Sequence, residues 1–453
     1  MPAGVSPENA MRVMSEYYKS LPVAGSFDVI VVGSGSAGST AAIASARAGV
    51  KTLVLERLPF LGGTSTAVLD TFYGYYTPGS RSIKVVGGIA DDVVKALKGY
   101  QACFERPNSF GAGTGITYHP EYLKVVWERL VREAGCHVLL NAWVQDVVIH
   151  ENKIEGLVVA TKAGLQMFQC KQVVDASGDA DICYFAGIPF ELAGAVDPAQ
   201  TLTTTFKMVN VDLSKRKEVS KKEINALMEE AASTGKYNLP RKEGSDHITP
   251  VDHMTATIMT RLTSYREKDG KVINASDPDL LSEAEMEGRI QAIEYIRFLK
   301  DYVPGYQHAE LSTFSVQIGV RETRRIYGEY RLTSEDVLSA RKFEDQIGLC
   351  GAPMEDHSDG ADTKWQYLPD GQTVGIPYRT LVPKDSRNIL VAGRCFSASH
   401  VAHSSVRSMA QCMVMGEAAG NAAALSAKQG VKPADIESGE LREILKKNKA
   451  IVD

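Results

Sequence analysis

Apolar and polar positions alternate between two periods along this chain, and the changes of period mark its elements. Phe27 to Val32 is a short, nearly continuous apolar run, as a strand buried on both faces requires. A glycine turn, Gly33-Ser34-Gly35-Ser36-Ala37-Gly38, follows at once, and residues 39–48 have helix-forming, Ala-rich composition. Gly49 stands at the helix C-cap position, Lys51 to Leu55 reads as a second strand, and Glu56 stands at its end. Helical spacing returns at 85–98 and at 120–134, where Tyr122, Val125, Val126, Leu130 and Val131 repeat at helical intervals. Residues 136–140, 142–150, 153–161 and 166–174 are β-rich, with tight turns at Glu151-Asn152 and Ala163-Gly164. The last three form an antiparallel meander. Residues 173–181 then read as a further parallel strand and a small-residue turn, DASGDAD at 175–181.

From residue 201 the character changes. TLTTTFKMVNVD alternates as a strand, and the charged stretch 213–302 predicts helices at 221–233, 247–263 and 281–302. Residues 309–332 are extended, Ser334 starts a helix, and 347–371 read as a polar loop. NILVA at 388–392 is another buried strand, followed by Gly393-Arg394-Cys395, and residues 406–426 form an Ala- and Met-rich helix. Gly416 and Gly420 share one face of it, which suits close packing against another backbone. A surface helix at 433–447 ends the pattern, and residues 1–25 read as a short amphipathic lead-in.

The early strand–glycine turn–helix–strand–acid order has a mechanical meaning. Gly33 allows the tight turn, Gly35 lets a pyrophosphate approach the backbone, and Gly38 lets helix and strand pack closely. The helix N-terminus supplies N–H groups and a positive dipole end for phosphates. Glu56 is placed to accept hydrogen bonds from a ribose diol. Gly62-Gly63-Thr64-Ser65 adds a second glycine turn that a plain NAD site does not need; Thr64 or Ser65 also fits a helix N-cap. Gly111 to Gly115 is glycine-rich, but no buried strand precedes it, so it reads as a loop.

Composition narrows the picture further. With 453 residues and a formal charge of −5, the chain suits two or three domains and shows no basic face for nucleic acid. No apolar run is long enough to span a membrane. Seven cysteines without a CxxC pair point to reduced thiols and a cytoplasmic setting, and dispersed His, Asp and Glu point away from a metal site.

Together GSGSAG at 33–38, Glu56, LGGTS at 61–65, DASGDAD at 175–181, GVRETRRI at 319–326, Asp356-His357 and ILVAGRCFSASH at 389–400 carry a resemblance. The chain resembles FAD-dependent oxidoreductases of the glutathione-reductase-type two-dinucleotide-binding superfamily, within the broad bacterial "FAD dependent oxidoreductase" group. The resemblance implies an α/β fold: a Rossmann-type FAD-binding domain with an antiparallel β-meander, plus an α+β substrate (cap) domain. The expected divisions are 1–25 as an extension, 26–200 and 376–430 as two parts of the FAD-binding domain, 201–375 as cap, and 431–453 as a surface helix. It implies that Gly33, Gly35, Ser36, Ala37 and Gly38 wrap the FAD pyrophosphate and that Glu56, with Arg57 beside it, binds the adenosine ribose. Gly62, Gly63, Thr64 and Ser65 would pass the flavin end, and Val144 would meet adenine. Ala176, Ser177 and Gly178 would line the dinucleotide. Gly393 and Arg394 would lie by the ribityl chain, where many superfamily members have Gly-Asp. Ser405 and Val406 would lead into the helix facing the flavin pyrimidine.

The expected activity is hydride transfer between a small organic CH–OH or CH–NH donor and flavin. No second GxGxxG follows a strand, so dioxygen or another acceptor is expected to reoxidise the flavin. His400 and His403 follow the Gly-Arg-Cys turn and suit a base near the flavin. On a strand, Arg321 and Arg325 share a face and Arg324 takes the other; one of them could clamp an anion, or pair with Glu322, Glu329 or Asp336. His400, His403, Arg324 and His357 form the expected catalytic set, and Arg407 either balances reduced flavin or faces solvent. Two alternatives stay open: a flavin–thiol relay through Cys395, and a non-redox FAD- or NAD-binding protein. The residues do not decide whether the chain forms a homo-oligomer.

Overall fold

The computed structural model describes residues 16–106, 115–358 and 363–453. Of the amphipathic lead-in expected over 1–25, residues 1–15 lie outside the described residues, as does most of the 111–115 glycine run; residues 16–19 are helical and the chain is already in a strand by Val23. Strand β1 (Val23–Val32) starts four residues earlier than its apolar run, and its last four residues are buried. Helix α1 (Ser36–Arg47) follows the glycine turn, and β2 (Thr52–Leu55) is buried at every position. Helix α2 (Ile89–Gly99) and helix α3 (Pro120–Glu133) come next. The buried face of α3 is Leu123, Val126, Trp127, Leu130 and Val131, while Tyr122 and Val125 point outward. The apolar stripe is therefore one position away from the one that Tyr122 and Val125 suggested.

Four further strands complete most of the main sheet: β3 (His137–Leu139), β4 (Trp143–His150), β5 (Lys153–Thr161) and β6 (Gly164–Asp175). Their order is β3-β2-β1-β6-β5-β4. β3, β2, β1 and β6 run parallel, whereas β6, β5 and β4 form the antiparallel meander. The meander strand and the parallel strand expected separately before Asp175 are one strand. Residues 164–169 of β6 pair with β5, and β1 pairs along the other edge from Val23 to Val32. Asp175 ends the strand and turns the chain: its Oδ1 accepts from Ser177 N–H, and its Oδ2 accepts from Ile182 and Cys183 N–H at 2.9 and 3.0 Å.

The second unit has its own sheet and core. Its strands are β7 (Phe206–Val209), β8 (Ser245–Ile248), β9 (Thr255–Ile258) and β10 (Glu310–Phe314), in the antiparallel order β8-β9-β7-β10. Helices α4 (Lys221–Ser233) and α5 (Pro278–Tyr302) enclose it, with Phe206, Met208, Ile224, Met228, Tyr295 and Leu299 in one buried cluster. The helix expected at 247–263 is instead the hairpin β8–β9. Pro250 opposes a continuous helix there, and Thr255, Thr257 and Ile258 are β-branched. The Thr255 and Thr257 hydroxyls find partners in Tyr306 Oη and Phe206 O, both at 2.9 Å. The loop expected at 347–371 also contains short paired strands, Met354–Asp356 against Lys364–Gln366.

The chain returns to the first unit through β11 (Ile389–Val391), which pairs with β6 beside Val173, Val174 and Asp175. β5 and β11 thus occupy the same edge of β6 in succession, and Asn388 closes the junction. Its amide donates to Ile154 O (2.8 Å) and Lys171 O (2.9 Å), and its Oδ1 accepts from Ile154 N–H at 2.9 Å. Asn388→Ala is expected to lower stability by about 2–3 kcal/mol, because three backbone groups, two of them in buried bonds, lose partners at once. A denaturant midpoint unchanged from wild type contradicts this. Helix α6 (His400–Val406) breaks after about two turns, and α7 (Met409–Gln429) crosses directly over α1.

Candidate active site

A cavity of about 720 Å³ runs from the α1 glycine turn to the wall of the second unit, within the usual range for a ligand pocket. Gly33, Gly35, Ser36, Ala37, Glu56, Arg57, Gly63, Thr64, Val144, Ala176, Ser177, Gly178, Gly393 and Arg394 all line it. Gly33 and Gly38 close the turn. A Cβ on Gly33 would stand 2.5 Å from Ala176 O, and one on Gly38 would stand 1.8 Å from Gly33 O. A Cβ on Gly35 meets nothing within 4 Å, so this glycine faces open space. Gly62 donates its N–H to Ser34 O at 2.8 Å, and a Cβ on Gly63 would meet Gly35 Cα at 2.8 Å. The second glycine turn therefore packs on the first. Gly62 and Ser65 lie behind the wall, with Ser65 Oγ bonded to Gly62 O at 2.7 Å.

These residues fit a dinucleotide. Helix α1 starts with no side-chain cap, so its first N–H groups are open to an anion, and Ser36 Oγ is buried without a hydrogen-bond partner. Glu56 first fixes the turn: its Oε2 accepts from Ser34 N–H (2.8 Å) and Ser34 Oγ (2.6 Å), and its Oε1 accepts from Leu58 N–H. Val144 lies at the far end with Ala142 and Trp143, two lining residues that the sequence pattern did not single out. Arg394 pairs with Asp179 at 2.9 Å and keeps a buried Nη1 without a partner.

The expected pair Ser405 and Val406 does not line the cavity; Ser404, Arg407, Ser408 and Met409 do. The break between α6 and α7 is the reason. It turns Ser405 inward, where its hydroxyl donates to Ala352 O at 2.6 Å. His400 and His403 are also behind the wall. His403 Nε2 lies 2.6 Å from Arg394 O, its ring stacks on Phe396, and burial drives its pKa well below the ordinary value. His400 sits between Glu322 (Nδ1–Oε1 2.9 Å) and Asp356 (Nε2–Oδ1 3.5 Å). Burial opposes its charge, but hydrogen bonds to Asp356 and Glu322 outweigh that and push it up to about 9.

Of the arginines, Arg325 is sealed between Glu322 and Glu191. Arg324 reaches the cavity, but its Nη1 donates to Asp179 O and Asp181 Oδ1, both at 2.9 Å, and its guanidinium covers Tyr184. Arg321 lines the wall, as do Arg241, Arg407, Glu355 and His357. His357 Nε2 meets Glu355 Oε1 at 2.9 Å, and its Nδ1 meets Thr363 Oγ1 at 3.0 Å. Burial and the Arg321 charge hold His357 neutral, down at about 3. Glu355 is kept ionised at about 2 despite burial, by His357, Arg407 and Arg321. Arg241 and Glu355 were not legible as site residues, since only the folded chain brings them to this wall. Cys395 does not line the cavity. Its thiol points at Asp175 O (3.6 Å), is fully buried, and is pushed well above its ordinary range by burial.

A parallel sheet with a glycine-turn cradle, opening into a cleft walled by a second unit, is the architecture of a dinucleotide-binding protein. Residues 28–445 match the model of the FAD dependent oxidoreductase family, and the chain belongs to that family. It is an FAD-dependent enzyme rather than a plain NAD-binding protein. Over 189 residues it is 31% identical to the thiamine thiazole synthase of Methanococcus aeolicus, covering 38% of this chain and 63% of that one. It is 27% identical over 206 residues to digeranylgeranylglycerophospholipid reductase 2 of Methanothermobacter thermautotrophicus, covering 38% of this chain and 48% of that one. The matches thus span less than two thirds of these relatives. A solved geranylgeranyl bacteriochlorophyll reductase-like protein from Thermoplasma acidophilum aligns at 13% identity and a TM-score of 0.46, over 93% of this chain and 84% of that one. No described helix is long and apolar enough to cross a membrane.

Proposed function

We propose that this protein transfers a hydride between FAD and a small organic molecule with a CH–OH or CH–NH donor, in the cleft between its two units. The supporting observation is the continuity of one cavity from the glycine turn at 33–37 to the His357–Glu355 pair. When bound, FAD supplies a two-electron acceptor or donor for the hydride. Gly35, Ser36 and the α1 N-terminus would hold the pyrophosphate, Glu56 the adenosine ribose, and Val144 the adenine. Gly393 and Arg394 would border the ribityl chain, and Thr64 with Ser404, Ser408 and Met409 would border the flavin ring. The second unit excludes water from the other side.

His357 handles the substrate proton. Neutral, with its Nε2–H donated to Glu355, it presents Nδ1 as acceptor, now toward the Thr363 hydroxyl. A proton taken at Nδ1 is stabilised by the Glu355 carboxylate at the other ring nitrogen. His400 and His403 do not contact the cavity and take positioning roles instead. His357→Gln is expected to lower kcat by about 100-fold with FAD content unchanged. A kcat within a few-fold of wild type would remove His357 from this role.

A further inference from the structure

We propose that the substrate carries an oxyanion, a carboxylate or a phosphate, gripped jointly by Arg321 and Arg407. This rests on the reading of the cavity as a combined FAD and substrate site. Arg407 follows α6 and lines the cavity. Its guanidinium has no hydrogen bond or ion pair with any described residue, and its Nε is buried without a partner. Arg321 lines the same cavity. Its Nη1 donates to Thr201 O (2.6 Å) and Thr203 Oγ1 (2.7 Å), which fix its direction, and no other N–H of its side chain bonds a described residue.

The contrast with neighbouring arginines is informative. Arg325 has Glu322 and Glu191, and Arg324 has Asp181. Both of these have carboxylate partners, whereas Arg321 and Arg407 have none among the described residues. Glu355, the carboxylate beside them, already accepts from His357. Burial and the charges of Arg407 and Arg241 pull Arg321 down to about 9, so positive charge is in excess here. An oxyanion relieves that repulsion, and two of its oxygens can accept parallel N–H bonds from a guanidinium. An anion beside Arg321 also offsets the charge that holds His357 neutral, so it favours protonation of the proposed base.

The test uses the FAD-loaded protein at constant ionic strength. It is titrated with acetate, inorganic phosphate and neutral acetamide, with binding followed by calorimetry and by perturbation of the flavin absorbance. Acetate or phosphate should bind saturably, and which of the two binds identifies the oxyanion; acetamide should not bind. Arg407→Met should weaken that binding by about 10- to 100-fold while retaining FAD. Arg47→Met, at a surface pair with Asp92 (2.7 Å) away from the cavity, should leave it unchanged. Anions that bind no better than acetamide, or binding indifferent to Arg407→Met, overturn the oxyanion grip even if substrates still reduce the flavin. A protein that holds no flavin overturns the underlying reading as well.

Discussion

Gly416→Val is expected to yield a protein that loses FAD and is less stable by about 3 kcal/mol or more. A Cβ at Gly416 would stand 2.1 Å from Ala37 O and within 3 Å of Ala37 C and Cα. One turn on, a Cβ at Gly420 would stand 2.3 Å from Ala41 O. The obstacle in both cases is helix backbone, which cannot rotate aside as a side chain can. Helix α7 must therefore lift away from α1, or α1 must shift. Ala37 lies in the first turn of α1 and lines the cavity, so a shift displaces the N–H groups that would meet the pyrophosphate. Gly416 itself does not line the cavity, so loss of cofactor would report packing rather than lost contact. Gly439→Ala is the control, since a Cβ there meets nothing within 4 Å. The measurements are the ratio of released FAD to protein and the thermal midpoint. Full FAD content with an unchanged midpoint contradicts the close α1–α7 contact.

Glu322→Gln is the second large effect, expected to cost about 3–5 kcal/mol near pH 6. Glu322 is almost wholly buried and binds three groups: Gln200 N–H at 2.7 Å, His400 Nδ1 at 2.9 Å, and Arg325. His403 approaches it at 3.9 Å, and Asp356 faces His400 from the other side at 3.5 Å. The glutamine can still accept from Gln200, but the charge opposite His400 and Arg325 is gone. The pH dependence follows from the two shifts. His400 is raised from its ordinary 6.5 to about 9, so its contribution is complete below about pH 6.5 and is lost as pH rises through 9. Glu322 is lowered from 4.5 to about 2; burial opposes this, and the His400 hydrogen bond and charge outweigh it. Its contribution is present above about pH 4.5 and is lost as pH falls through 2. Both operate between about pH 4.5 and 6.5, where this cluster stabilises most. Urea melts from pH 5 to 9 should show wild type weakening toward pH 9 and Glu322→Gln weakening less, because only Asp356 then holds the His400 charge. Parallel curves for the two proteins would contradict the cluster's role.

Much of the fold was legible in the chain because its signals are local. The glycine turn, the apolar strands beside it, the meander turns and the Gly416–Gly420 spacing each state a steric need within a few residues. The hairpin at 245–258 was not, because charged flanks imitated a helix and the threonines' buried partners, Tyr306 and the Phe206 carbonyl, come from distant segments. The site divided in the same way. Gly33, Gly35, Glu56 and Val144 all line the cavity. Ser405 and Val406 missed it because a helix break, invisible in an Ala- and Met-rich run, rotates the lining to Ser404 and Arg407. His400 looked like a base from its place after the Gly-Arg-Cys turn. Only the fold shows Glu322 and Asp356 closing around it, and Asp179 with Asp181 occupying Arg324.

Anaerobic addition of small alcohols, amines and their acid derivatives to the FAD-loaded protein tests the central claim most directly, with the visible flavin band as readout. The account predicts that at least one CH–OH or CH–NH donor bleaches the band, and that His357→Gln slows the bleaching without altering FAD content. A flavin that no such donor reduces, or bleaching equally fast without His357, would contradict it.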